Sequence, residues 1–172
     1  AGTTEYVAIN GVNVYQNTSG FNRLVDASTL ASNINENDEM RKLGIEAKAV
    51  NRSLGETYQS TVTASASGGT ESTFEINLRF YIGDGTTSFS FNYARATSFA
   101  DDSITVNNLS LDELITAINS AASSAGANIT AMREGQKLRL ETANGETIAI
   151  EVEARRLTGG GSATFNIDMG QI

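Results

Sequence analysis

The chain contains no histidine, cysteine, tryptophan or proline. The first two absences remove the usual zinc and iron ligands, the thiol nucleophile, and the imidazole base of Ser-His-Asp and Cys-His triads. Any chemistry would rest on carboxylates, lysine, tyrosine and hydroxyl groups. Without cysteine there is no disulfide framework, so the fold must be held by burial and hydrogen bonding, and the redox compartment stays open on this criterion.

Positive charge is also scarce. Twelve Lys and Arg stand against 20 Asp and Glu, a formal charge of -8. Phosphate contact needs clustered basic residues, and the one tight basic pair beyond Arg41-Lys42 is Arg155-Arg156, so the balance argues against nucleic acid. It equally disfavours adsorption to anionic membranes. No apolar run approaches the roughly 20 residues that span a bilayer, and Ala1-Gly2-Thr3-Thr4 does not read as a signal peptide. At 172 residues the chain can form one domain with a proper core or two small ones. It opens on the strand-like Tyr6-Val7-Ala8-Ile9 and closes on Phe165-Asn166-Ile167-Asp168. Such abrupt ends lead us to expect a middle piece of a longer polypeptide, with both ends near one another in space.

What is present is a repetition. Leu30, Ile34 and Asn35 match Leu114, Ile118 and Asn119, 84 positions later. The likeness continues with a two-residue offset, Gly44 to Val50 against Gly126 to Met132, each copy reading as a helix, a glycine stop and a strand. The second copy is the clearer. Ser110-Leu111-Asp112-Glu113 spells a capping box, and its two acids suit the positive end of the helix dipole. Leu111, Leu114, Ile115, Ile118 and Ala122 form one apolar stripe, and Gly126 ends the helix. The period then changes to two: Leu138 and Leu140 face one way, as do Ile148, Ile150 and Val152 beyond Asn144-Gly145. That dipeptide predicts a type I′ hairpin turn between them.

In the first copy Asp26 or Ser28 is the candidate cap, with Leu30, Ala31 and Ile34 as the apolar face and Asn37-Asp38 as an interruption before Met40 and Leu43. Strands are expected at 45–51, 57–66, 73–82 and 87–97, the last two hinged on Gly83-Asp84-Gly85. Val7 to Val12 and Phe74 to Leu78 read as related opening strands, echoed at Phe165-Asn166-Ile167-Asp168 after the flexible turn Gly159-Gly160-Gly161. Ser67-Gly68-Gly69-Thr70 marks a boundary, giving modules 1–70 and 71–172.

Ile9-Asn10-Gly11-Val12, the helix Leu111 to Asn119 and the segment Gly135 to Gly145 together resemble the flagellin "IN" motif, over roughly residues 5–66 and 74–153. The resemblance implies the surface-exposed middle region of a bacterial flagellin, an extracellular filament subunit lacking its terminal core helices here, with neighbouring flagellin subunits as partners. It also implies that some of the 36 Ser and Thr carry glycans. The second copy departs from the motif by a long insertion after Leu78, and the first lacks a clear Asn-Gly hairpin. A flagellar cap or hook-associated protein is the nearest alternative within the family.

Candidate sites weigh towards structure. Asp101-Asp102 and Asp112-Glu113 are paired acids, but neighbours in sequence do not face each other across a substrate as a glycosidase requires. Gly83-Asp84-Gly85-Thr86 lacks the alternating ligands of a calcium loop. Gly159-Gly160-Gly161-Ser162 lacks the Lys-Ser or Lys-Thr of a phosphate cradle. Phe80, Tyr81, Phe89, Phe91 and Tyr93 could line a carbohydrate groove on a cell-surface adhesive module, although Phe89, Phe91 and Tyr93 share one strand face and read first as core. Asn35 and Asn119 are expected to bond backbone at the helix end. No catalytic, cofactor or metal residue is assigned. The expected fold is α+β: two related modules, each a short helix packed on antiparallel β-strands. Leu111, Leu114, Ile115 and Ile118 should seal against Leu138, Leu140, Ile148 and Ile150, each large side chain contributing roughly 1.5–3 kcal/mol.

Overall fold

The structure is a computed structural model and describes residues 6–16, 27–67, 71–98 and 104–172. It divides into two compact units, Ala1–Asn51 with Thr142–Glu146, and Arg52–Glu141 with Thr147–Ile172. In chain order the first unit carries β1 (Tyr6–Ile9), β2 (Val12–Gln16), α1 (Ala27–Glu36) and α2 (Asp38–Lys42). There follow β3 (Asn51–Thr57), β4 (Thr63–Ser67), β5 (Ser72–Ile82), β6 (Thr87–Ser98), β7 (Ile104–Asn108), α3 (Leu111–Ala125), β8 (Ile129–Glu134), β9 (Lys137–Thr142), β10 (Ile148–Thr158) and β11 (Ser162–Asn166). The class is α+β, as the pattern of periods implied.

In the first unit β1 and β2 form an antiparallel hairpin. Asn10 and Gly11 turn it with φ of 50° and 79°, the two positive values a type I′ turn requires. The stretch Val7 to Val12, expected as one strand, is thus folded in half by the Asn-Gly pair within it. α1 and α2 are separated at Asn37, whose side chain accepts from the N–H groups of Glu39 and Met40 at 3.0 and 3.3 Å and so caps the second helix. Val14, Ile34 and Met40 form the small core, with Ile9, Val12, Leu30, Ile45 and Ala47 packed at its rim. The candidate cap Asp26 lies outside the described residues.

In the second unit a four-stranded sheet runs in the order β10-β5-β6-β7, antiparallel throughout. β5 alternates strictly: Phe74, Ile76, Leu78, Phe80 and Ile82 are buried, the residues between them half-buried. β6 carries a bulge opposite Ile76 and Asn77. The bulge lets two successive residues, Tyr93 and Ala94, both face inward. α3 starts with the anticipated capping box at Ser110 and ends at Gly126 with φ 67°, where only glycine escapes a Cβ penalty. It packs on β6 and β8. Leu111, Leu114, Ile118 and Ala122 are buried in one cluster with Leu138 and Leu140, while Ile115, Ile148 and Ile150 pack half-buried against it. A three-stranded sheet β3-β9-β8 and a two-stranded ribbon β11-β4 complete the unit.

Three expectations need correction. Asn144-Gly145 makes no hairpin. Gly145 has φ 73° but Asn144 stays in the negative region, and the loop is tied instead through the Glu146 carbonyl, which accepts from Asn51 Nδ2 and Thr142 Oγ1, both at 2.9 Å. β9 pairs with β8 and β3, while β10 crosses to β5 and pairs from Ile148↔Ile82 to Thr158↔Thr73. Ten residue pairs of ladder with β5 outweigh one favourable turn, because every buried backbone group there needs a partner. Second, residues 45–50 are not a strand, and the ladders begin at β3 and β4 rather than at 45 and 57. Third, Gly159–Gly161 turns the chain as expected but is held by its neighbours rather than free, although Gly159 and Gly161 are exposed. A Cβ on Gly159 would lie 2.2 Å from the Glu71 carbonyl oxygen, and Ser72 Oγ donates to the Gly160 carbonyl.

Candidate functional site

The repeated asparagines are the feature both units share. Asn35 Nδ2 donates to the Ala47 carbonyl at 2.9 Å and Asn35 Oδ1 accepts from the Ala47 N–H at 2.8 Å. Asn119 does the same to Ala131 at 2.9 and 2.8 Å. A side-chain amide offers one donor and one acceptor in a plane, so each asparagine stands in for one residue of a neighbouring strand and fastens the helix to the segment that returns beside it. Both clamps span twelve residues. The 84-residue register is therefore kept through the clamped alanines, and the two-residue offset is confined to the glycine stops. Gly44 has φ 69° and Ile45 N–H closes on the Met40 carbonyl at 2.9 Å; Gly126 has φ 67° and Ala127 N–H closes on Ala122 at 2.9 Å. The second copy ends its helix two residues earlier and lengthens the loop by the same amount.

Phe80, Phe89, Phe91 and Tyr93 belong to the core, whereas Tyr81 lies on the opposite face of β5, half-buried, and donates its hydroxyl to Glu151 Oε2 at 2.6 Å. Phe80 stacks on Phe89 with ring centroids 5.2 Å apart and on Phe91 at 5.9 Å. Tyr93 is only 3% exposed, so the carbohydrate platform considered for this strand is not presented to solvent. Its hydroxyl lies 3.1 Å from that of Tyr58, which donates to the Leu109 carbonyl at 2.6 Å, and Asn108 Nδ2 donates to the Tyr93 hydroxyl at 3.4 Å. Burial, and then the bond with Tyr93, push the Tyr58 phenol far above its ordinary value. Tyr58 had no signal in the sequence, being a lone aromatic whose partners lie 35 and 51 residues away.

The acids are spent on local structure. Glu113 accepts from Ser110 N–H and Oγ at 2.8 and 2.7 Å, which holds its carboxyl below the usual range. Asp112 pairs with Arg133 at 2.7 Å. Asp84 accepts from the Thr86 N–H and hydroxyl at 3.0 and 2.7 Å and is lowered by those bonds, backbone first. Asp101-Asp102 lies outside the described residues. Among the described residues no three acidic side chains converge as a metal site would need, and no helix is long and apolar enough to cross a membrane. Hydroxyls do line surfaces: Thr63, Ser65 and Ser67 on β4 are exposed beside Asn166, Thr164 and Ser162 on β11, with Ser67 Oγ 3.2 Å from Ser162 Oγ.

Among known proteins, the chain is 32% identical over 167 residues to the flagellin of Aquifex pyrophilus, covering 96% of this chain and 28% of that relative. It is 32% identical over 140 residues to the flagellin of Aquifex aeolicus (strain VF5), covering 80% of this chain and 23% of that one. The chain thus spans about a quarter of the length of the relatives it matches. No protein-family model and no solved structure matches it. The resemblance to bacterial flagellin, read above from short motifs, extends over almost the whole chain.

Proposed function

We propose that this flagellin-like chain is a surface-exposed middle region of a flagellin, a structural part of the extracellular bacterial flagellar filament rather than an enzyme. The observation that carries the reading is the pairing of coverages: nearly all of this chain aligns with flagellin, and it accounts for about a quarter of the relatives. The twin asparagine clamps support a second element of it, that Asn35 and Asn119 mark two related modules of the IN type. In this role the folded units supply shape and surface, and neighbouring subunits of the filament are the partners. The net charge of -8 keeps such a surface soluble and apart from nucleic acid. The exposed hydroxyls of Ser65, Ser67, Ser162 and Thr164 are where attached glycans would be sought.

Antibodies raised against this chain, imaged by immunogold electron microscopy on flagellated cells that produce it, test the proposal. Gold along the whole shaft is expected. Gold confined to the tip or to the hook junction would overturn it in favour of a cap or hook-associated protein.

A further inference from the structure

The four-stranded sheet ends on one side at β7, five residues long, beside which β4 packs. It ends on the other at β10, eleven residues long and exposed at every residue from Glu151 onward. Among the described residues no strand pairs with the outward edge of β10. A long open edge is a template for another strand, and protein edges are normally guarded by charge. The charges here are ordered: Glu151 and Glu153 come first, Arg155 and Arg156 after. That order is self-complementary when the strand meets itself running the other way.

We propose that β10 is the docking edge for β10 of a second copy of this chain, paired antiparallel about Ala154 to make one continuous eight-stranded sheet. A two-fold axis normal to the sheet keeps both core faces on one side, so odd residues must oppose odd residues. Centring on Glu153 sets Glu153 against itself, centring on Arg155 sets Arg155 against itself, and centring on Val152 sets Glu151 against Glu153. Centring on Ala154 sets Glu153 opposite Arg155 twice. On the other face it brings the aliphatic stem of Arg156 in one copy over Val152 in the other. Val152 is 36% exposed and, with Ala154, Phe165, Ile167 and Met169, lines an open groove of about 550 Å³ that this contact narrows. The inference rests on the strand itself and is independent of the filament reading.

Sedimentation equilibrium of the full chain across a wide concentration range is the test, with circular dichroism to confirm that each variant folds. The wild type should dimerise reversibly. Glu153→Lys and Arg155→Glu should each weaken self-association about tenfold or more, because each sets like charges opposite one another twice. An equimolar mixture of the two should recover it: the introduced lysine then faces the introduced glutamate, and native Arg155 faces native Glu153. Arg155 also pairs with Glu75 at 3.2 Å within its own unit, so cysteine cross-linking supplies an arm that leaves charge untouched. In this cysteine-free chain, Ala154→Cys should form a disulfide-linked dimer on mild oxidation and Ala149→Cys should not. A wild type that stays monomeric, a dimer indifferent to both charge changes, or equal cross-linking at both alanines would overturn the proposal.

Discussion

Asn119 grips the N–H and the carbonyl of Ala131 at once, at 2.8 and 2.9 Å, twelve residues down the chain. Ala131 is 3% exposed, so water cannot take over either bond. Asn119→Ala should therefore lower the stability of the second unit by about 2–4 kcal/mol, the cost of leaving a donor and an acceptor unpaired. Asn119→Asp keeps the acceptor but loses the donor and should fall between. Asn35→Ala should cost less, since Ala47 is only half-buried. Urea denaturation midpoints order the three.

Leu114 has no exposed surface and sits at the centre of the larger core. Leu114→Asp places an unpaired charge there and should abolish cooperative unfolding of the second unit. Leu114→Ala should cost about 2–5 kcal/mol and leave it folded. A melting temperature unchanged by Leu114→Asp would contradict the placement of α3.

At the corner after β10, Gly159 has φ 83° and no room for a side chain, with the Glu71 carbonyl where a Cβ would go. Gly159→Ala must push backbone against backbone and should lower the melting temperature by several degrees. Gly135→Ala, at a positive φ with open space around it, carries only the backbone strain and should lower it less.

How far this could be read in advance depended on where the information lay. The residues that make α3 a helix, its Ser110 cap, its apolar stripe and Gly126, are contiguous, and so were legible. The long alternation of β5 and β6 was legible for the same reason. The two Asn-Gly pairs show the limit. At Asn10-Gly11 the flanking strands pair with each other and the turn forms; at Asn144-Gly145 each flanking strand has a better partner elsewhere, and the same dipeptide does not turn. That misplaced hairpin also hid the open edge of β10. The identity of the clamping asparagines could be read from their repetition, but the alanines they hold could not, because what selects them is the path of the returning chain.

The capping box gives a pH dependence. Its bonds from Ser110 hold Glu113 below the ordinary carboxylate range, so the folded state binds this proton less readily than the unfolded chain. The stabilisation is present above the unfolded value of roughly 4.3 and is lost as pH falls through the folded one. Glu113→Gln should destabilise the second unit at neutral pH, and the difference from wild type should shrink on acidification. Ser110→Ala should cost about 1 kcal/mol at neutral pH. Paired urea titrations at neutral and acid pH measure both.

Tyr58 works in the opposite direction on the alkaline side. Its phenol is raised by burial and by its bond with Tyr93, so the neutral form is the one the fold favours. The contribution is complete below the unfolded value of about 10 and drains away as pH rises towards the folded one. Tyr58→Phe should cost about 1–2 kcal/mol at neutral pH, since the Leu109 carbonyl loses its donor at 2.6 Å. Above pH of about 10 the wild type should lose stability faster than the variant, because only the wild type has this buried proton to give up. Tyrosinate absorbance followed alongside circular dichroism separates the two steps: Tyr58 should ionise only as the second unit unfolds, and the late component of the absorbance should be smaller in Tyr58→Phe.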